Sequence, residues 1–267
     1  MSIVLVTALF ALVLAFVLGF ALGFFKRFFA VEEDLLVGQI RSALPGANCG
    51  ACGFPGCDAY AAAVSKKQAG INSCSAGGQT VAQQLAGLAG GEASVTRKVA
   101  VLACRGTRGK AELKGEYIGV KSCLAAKIST GSIKLCSWGC QGFGDCVKAC
   151  KFGAIVMGED GIPHVNTAKC TGCNACANEC PQHIIRVIHK EEKGARPFCS
   201  NRNMNKPMVA KHCKAGCVKC ELCVRNCPEQ CINMVNGIPV VDNVKCTGCG
   251  TCVTKCPVKV MALTMFL

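Results

Sequence analysis

Cys170-Thr171-Gly172-Cys173-Asn174-Ala175-Cys176-Ala177-Asn178-Glu179-Cys180-Pro181 is the stretch on which the reading of this chain turns. Its cysteines follow the spacing C-x2-C-x2-C-x3-C-P. The spacing returns at Cys217, Cys220, Cys223 and Cys227, followed by Pro228, and at Cys246, Cys249, Cys252 and Cys256, followed by Pro257. Three thiolates in one tight loop can hold three corners of an inorganic iron–sulfur cube, while the fourth, turned away at the proline, reaches a neighbouring cube. A zinc ribbon uses two separate Cys pairs instead, and three copies exclude coincidence.

A fourth copy is altered. Cys136, Cys140, Cys146 and Cys150 align with Cys213, Cys217, Cys223 and Cys227, but Phe143 stands opposite Cys220 and Lys151 replaces the proline. Cys136 is the expected substitute ligand. Gly161-Ile162-Pro163 before the Cys170 run matches Gly237-Ile238-Pro239 before the Cys246 run, and Cys123 matches Cys199 further upstream. An internal duplication of a two-cluster, bacterial-ferredoxin-type module accounts for this. Each module is expected to be a small α+β unit, with a four-stranded antiparallel sheet and two short helices. Crossed ligation gives one site from Cys136, Cys140, Cys146 and Cys180 and another from Cys150, Cys170, Cys173 and Cys176. In the second module it gives Cys217, Cys220, Cys223 and Cys256, then Cys227, Cys246, Cys249 and Cys252.

Upstream, Cys49-Gly50-Ala51-Cys52-Gly53-Phe54-Pro55-Gly56-Cys57 with Cys74 forms a further four-thiolate set. Its glycines let the backbone wrap a cofactor and turn N–H groups toward sulfur; structural zinc is the competing occupant. About five [4Fe–4S] clusters are thus expected. Cys104, Cys123, Cys199, Cys213 and Cys231 are left over. Cys231 reads as a buried thiol. The other four either form a further site or pack against the clusters and vary their ligation.

Ile3 to Phe25 carries no ionisable side chain and spans roughly 34 Å as a helix, enough for a bilayer core of roughly 30 Å. Lys26 and Arg27 follow, placing the rest of the chain on the cytoplasmic side of the inner (plasma) membrane by the positive-inside rule. The run is too long for a signal peptide and lacks a basic leader. In a reducing cytoplasm, clustered cysteines read as metal ligands rather than disulfides. The expected division is an anchor (1–30), a four-Cys domain (31–93), a basic connecting segment (94–134), a first ferredoxin-like module (135–192), a connector (193–212) and a second module (213–267).

The formal charge of the 267 residues is +14, with 30 Lys or Arg against 16 Asp or Glu. Five dianionic clusters would offset about ten of these charges. Only 15 aromatic residues are present, too few for nucleic-acid stacking platforms, so no nucleic-acid partner is expected. No phosphate-cradling G-x-G-x-x-G follows a strand, and the four histidines show no paired spacing. The chain reads as an electron relay without a site of bond chemistry. Residues 186–225 hold ten Lys or Arg against three acids. Lys206, Lys211 and Lys214 are the expected docking positions for an acidic partner.

The order of parts, an apolar anchor, the Cys49–Cys57 loop with Cys74 and tandem modules, resembles the B-subunit family of Rnf complexes. The resemblance covers nearly the whole chain. It implies an electron-transfer subunit of a membrane complex that oxidises reduced ferredoxin and reduces NAD while translocating Na+ or H+, with flavins, the NAD site and the ion path on partner subunits. A polyferredoxin subunit of a membrane hydrogenase or quinone reductase is the alternative. A tethered corrinoid carrier would need a domain for which the chain has no room.

Overall fold

The computed structural model describes residues 2–28 and 34–264; the few residues at the expected anchor boundary (29–33) and at the end of the second module (265–267) lie outside it. Helix α1 (Ser2–Phe28) is apolar until Lys26 and Arg27 in its last turn. Leu5–Arg27 is long and apolar enough to cross a membrane.

Asp34 opens α2 (Leu35–Ala43) by accepting a hydrogen bond from the Leu36 N–H. Then follow α3 (Cys57–Ser65) and α4 (Gly78–Ala89), the latter ended by Gly90 at φ +77°. The three pack around Ile40, Leu44, Tyr60, Ala61, Val64, Val81 and Leu85. The one large aromatic in this core, Tyr60, satisfies its hydroxyl on the Gly70 carbonyl at 2.7 Å.

The first module begins earlier than expected. Strand β1 (Lys98–Leu102) lies in the segment read as a connector. After it come α5 (Cys123–Thr130), α6 (Asp145–Lys148), the hairpin β2 (Ile155–Met157) and β3 (Pro163–Val165), α7 (Ala175–Glu179) and β4 (Ile185–His189). β1 pairs antiparallel with β4, Ala100 opposite Val187, while β2 pairs only with β3. The second module repeats this. β5 (Ala195–Pro197), from the expected 193–212 connector, precedes α8 (Lys206–His212), α9 (Leu222–Arg225), the hairpin β6 (Ile232–Val235) and β7 (Ile238–Val241), α10 (Thr251–Thr254) and β8 (Met261–Leu263). β5 pairs with β8, Ala195 opposite Leu263.

Each module therefore holds two two-stranded ladders in place of the expected four-stranded sheet. The cause is visible at β1, where the Ala100 N–H donates to Cys170 Sγ at 3.3 Å rather than to another strand. A ligand loop occupies that edge.

The pairing also corrects the repeat alignment. Ala103 donates to the Ile184 carbonyl as Phe198 donates to that of Val260. Cys104, next after Ala103, is therefore the counterpart of Cys199, next after Phe198; Cys123 is not. It belongs to an insertion in the first module, between Cys104 and Cys136.

Four ligand loops share one backbone device. Gly144, Asn174, Glu221 and Gly250 all take left-handed φ, between +61° and +78°, just before α6, α7, α9 and α10. The altered copy thus keeps the loop conformation although Phe143 has replaced its cysteine. The recurrent Thr-Gly of the Cys170 and Cys246 runs has a separate cause. Gly172 sits at φ +67°, and a Cβ there would lie 2.5 Å from Lys98 Cβ and 2.7 Å from Lys98 O. Gly248 meets the Lys193 carbonyl in the same way, at 2.7 Å. The strand of each module's outer ladder begins directly over this glycine.

Gly172→Ala is expected to cost more than about 1 kcal/mol, since it combines positive φ with a backbone clash. Gly87→Ala, inside α4 with nothing within 4 Å of the new Cβ, should instead stabilise by about 0.5–1 kcal/mol. Anaerobic thermal unfolding of both variants checks the contrast.

Candidate iron–sulfur sites

The membrane-proximal loop is held open around its sulfurs. Asn48 Oδ1 accepts from the Cys57 N–H at 2.7 Å, anchoring the start of α3. Gly50 and Gly53, at φ +72° and +87°, turn the chain between Cys49, Cys52 and Cys57. These three and Cys74 line a cavity beside Tyr60. Burial raises the Cys74 thiol, and Cys49, Cys52 and Cys57 nearby add to the shift.

In the first module Cys140, Cys146 and Cys180 line one cavity, and the fourth sulfur lining it belongs to Cys123. Cys136 lies elsewhere. Cys123 belongs to the insertion: α5 starts there, and the buried Asp145 carboxylate accepts from Ser122 Oγ (2.9 Å) and from the Cys123 and Leu124 N–H groups (2.8 and 3.2 Å). Lys127 of the same helix donates to the Pro181 carbonyl, beside Cys180. Phe143, where a ligand would stand, packs on Tyr117 of the insertion with ring centroids 5.4 Å apart.

Burial pushes Cys146 up to about 11, with Cys123 and Cys180 adding to it. It pushes Cys176 up to about 12, with Cys170, Cys173, Cys146 and Cys150 contributing. Backbone N–H groups point at these sulfurs: Ala100 at Cys170 and Ala154 at Cys150, both 3.3 Å. In the second module Cys223, pushed by burial to about 11, feels Cys217, Cys220 and Cys256. Cys252, also near 11, feels Cys246, Cys223, Cys249 and Cys227. Val260 N–H donates to Cys256 Sγ at 3.2 Å. Cys231 is buried, its sulfur 3.5 Å from that of Cys227. Cys249 alone among the described cysteines is exposed.

Cys136 lines a different cavity, together with Cys104, Cys199 and Cys213. Lys206, Lys211 and Lys214 are all exposed, on α8 and just beyond it. The residues that spacing missed are Cys123 and Asp145. The legible signal was a charged residue at 145, where the aligned second repeat has Leu222.

Among the described residues no three His, Cys, Asp or Glu side chains converge on a single ion. The thiols instead ring cavities. All-sulfur donors, spaced apart, with N–H groups aimed at them, fit a polynuclear iron–sulfur group.

The fold and its sites define an iron–sulfur electron-transfer protein with ferredoxin-like repeats. Residues 44–76 match the family model described as "Putative Fe-S cluster", and residues 135–184 and 216–260 match that described as "4Fe-4S dicluster domain". Over 86% of its length the chain is 42% identical to the B subunit of the Na(+)-translocating ferredoxin:NAD(+) oxidoreductase complex of Acetobacterium woodii, covering 69% of that protein. It is 38% identical to the B subunit of the ion-translocating oxidoreductase complex of Methanosarcina acetivorans, covering 89% of each. It is 39% identical to the B subunit of the proton-translocating ferredoxin:NAD(+) oxidoreductase complex of Clostridium ljungdahlii, over 86% of this chain and 81% of that one. The chain belongs to the family of B subunits of Rnf-type ion-translocating oxidoreductase complexes, in which it is an electron-relay subunit.

Asp145→Ala would strand three donors at the start of α5, at a cost of about 1–3 kcal/mol. Limited proteolysis should find α5 cleaved faster than in the parent protein, while Asp145→Asn, which keeps an acceptor, should lie between the two.

Proposed function

We propose that this chain takes single electrons from reduced ferredoxin and conducts them through [4Fe–4S] clusters to the membrane partners of an Rnf-type complex, where flavin-bearing subunits reduce NAD+ and the complex moves Na+ or H+. The observation that carries the reading is the gathering of cysteines into separate groups, two of which line cavities. The proposed ligand sets are Cys49, Cys52, Cys57 and Cys74; Cys123, Cys140, Cys146 and Cys180; Cys150, Cys170, Cys173 and Cys176; Cys217, Cys220, Cys223 and Cys256; and Cys227, Cys246, Cys249 and Cys252. When bound, such clusters accept and release one electron without making or breaking bonds to substrate.

The residues of the chain set the order of the path. Exposed Cys249 makes the last set the one nearest solvent. Cys146 and Cys150 lie on one helical turn and serve different sets, which keeps those two sets adjacent. Lys151, standing where the other copies have proline, donates to the Ala47 and Asn48 carbonyls at 3.2 and 3.1 Å. It ties the first module to the Cys49 loop, so electrons leave through the set nearest α1. That helix, read as a single inner-membrane pass with Lys26 and Arg27 on the cytoplasmic side, holds the exit at the bilayer. The docking face for an acidic ferredoxin is proposed around Lys206, Lys211 and Lys214.

Cys180→Ser should damage the set completed by Cys123, Cys140 and Cys146 and spare the one held by its sequence neighbours Cys170, Cys173 and Cys176. EPR of the dithionite-reduced variant decides, and loss of the second signal alone would refute the crossed pairing. Reduction by ferredoxin should also slow as salt rises, because exposed charges are screened over about 8 Å at physiological ionic strength. Lys206→Glu, Lys211→Glu and Lys214→Glu together should weaken docking without lowering iron content. A salt-independent second-order rate would place the docking face elsewhere.

A further inference from the structure

Cys104, Cys136 and Cys213 belong to no set above, nor does Cys199, and all four line one cavity, as Cys123, Cys140, Cys146 and Cys180 line another. Three of the four lie outside the residues matched by either family model. We propose that Cys104, Cys136, Cys199 and Cys213 hold a sixth [4Fe–4S] cluster, at the junction of the two modules. The proposal rests on the reading of the chain as an iron–sulfur carrier.

The duplication explains how these thiols meet. Cys104 and Cys199 are equivalent by strand register, as Cys136 and Cys213 are by sequence alignment, so each repeat gives the same two ligands. The backbone stitches both pairs together. Ser200 Oγ donates to the Ala103 carbonyl at 2.9 Å, and Arg105 lies 4.5 Å over the Phe198 ring while donating to the Lys259 carbonyl at 2.7 Å. On the other side the segment 110–114 joins the repeats through isolated bridges at Ala111 and Leu113: Glu112 N–H donates to the His212 carbonyl (2.9 Å), Lys214 N–H to that of Lys110 (2.8 Å) and Leu135 N–H to that of Glu112 (3.0 Å). Gly106 lies between the sulfurs of two repeats; a Cβ there would be 3.5 Å from Cys104 Sγ and 3.7 Å from Cys213 Sγ.

Two further observations call for an anion in this cavity. Lys134 lines it at 6% exposure, bonded to the Gly106 carbonyl at 2.6 Å, with no carboxylate partner among the described residues. A buried ammonium without a counter-charge is costly, and four thiolates around a cluster supply a dianion. Lys219, 2% exposed, stands near Cys199 and Cys217 and likewise bonds only carbonyls. The sulfurs also receive the backbone donors seen at the other sets: Gly106 N–H to Cys104 at 3.4 Å, and Asn201 and Cys217 N–H to Cys199 at 3.5 and 3.4 Å.

The position gives the site its role. Cys104 packs against the buried Cys140, while the Cys217 N–H donates to Cys199 Sγ at 3.4 Å. The cavity thus separates the Cys140 set of one module from the Cys217 set of the other. A group held there lets an electron pass between modules in two short steps instead of one long one, with no bond or proton moved.

The test is anaerobic holoprotein, analysed by native mass spectrometry and by iron and acid-labile sulfide content. Six clusters and about 24 iron atoms per chain are expected; five clusters and about 20 would overturn the proposal, as would zinc in place of the sixth. Cys199→Ser with Cys213→Ser should lose about four irons and their sulfide. Cys231→Ser, at a thiol outside every set, should lose none. Should the double variant lose more than that, Cys104→Ser, which removes a single ligand, must still lower the cluster count by one or convert one cluster to a three-iron form; an unchanged count and EPR spectrum would overturn the assignment. A parent protein without labile sulfide would instead sink the iron–sulfur reading itself.

Discussion

The fold depends on sulfur ligation more than on apolar burial. Helices α6, α9 and α10 are four residues long and the strands run from three to five, lengths at which neither element is stable alone. The clusters of buried side chains in the modules are small and count cysteines among their members: Cys146, Cys170 and Cys176 in one, Cys231 and Cys252 in another. Ordering such a chain costs about 1–2 kcal/mol per residue in backbone entropy alone. Metal binding that exists only in the folded state contributes folding free energy directly. The crossed arrangement makes this cooperative, because each proposed set in a module draws sulfur from both halves of the repeat. The N-terminal part beyond α1 differs, since Ile40, Tyr60, Val64 and Leu85 give its three short helices a core of their own.

What spacing alone disclosed, and what it did not, follows from the same constraint. The three intact runs were legible because their ligands are local: the loop, its left-handed residue and its proline all lie within twelve positions. The proposed crossing of Cys150 and Cys180 follows from the duplication. The cysteine that shares the cavity of Cys140, Cys146 and Cys180 does not. Alignment offered Cys136, the nearest upstream thiol with a counterpart in the other repeat, whereas the replacement comes from an insertion whose return path is set by Asp145 and Lys127 rather than by its length. Likewise the counterpart of Cys199 could be found only from strand register, since the insertion breaks the sequence spacing in one repeat and leaves it whole in the other. The outer strands β1 and β5 were missed for a related reason. Both lie far in sequence from the strands they pair with, and their basic surroundings read as linker.

The charge of the chain acquires a second meaning. A +14 balance first suggests a docking face, and the exposed lysines of α8 are consistent with one. Lys134 and Lys219 cannot serve that purpose, because both are buried. They make sense as counter-charges to anions inside the protein, and a ligand field of positive charge and N–H dipoles is also what stabilises the reduced form of a cluster.

The altered repeat then looks less like decay than like a change of use. Had the first module kept a cysteine at 143, it would have needed neither Cys123 nor the insertion. The insertion does more than replace that thiol. Its residues 110–114 bridge, at Ala111 and Leu113, to Cys213 at the end of α8 and to Lys134, bringing Cys136 to Cys213. The second module, which keeps its ligand at Cys220, has no such segment between Cys199 and Cys213. In the proposed assignment one insertion therefore completes a site within its own module and closes the contact to the other, and both duties depend on its leaving Cys136 out of the quartet in which spacing had placed it.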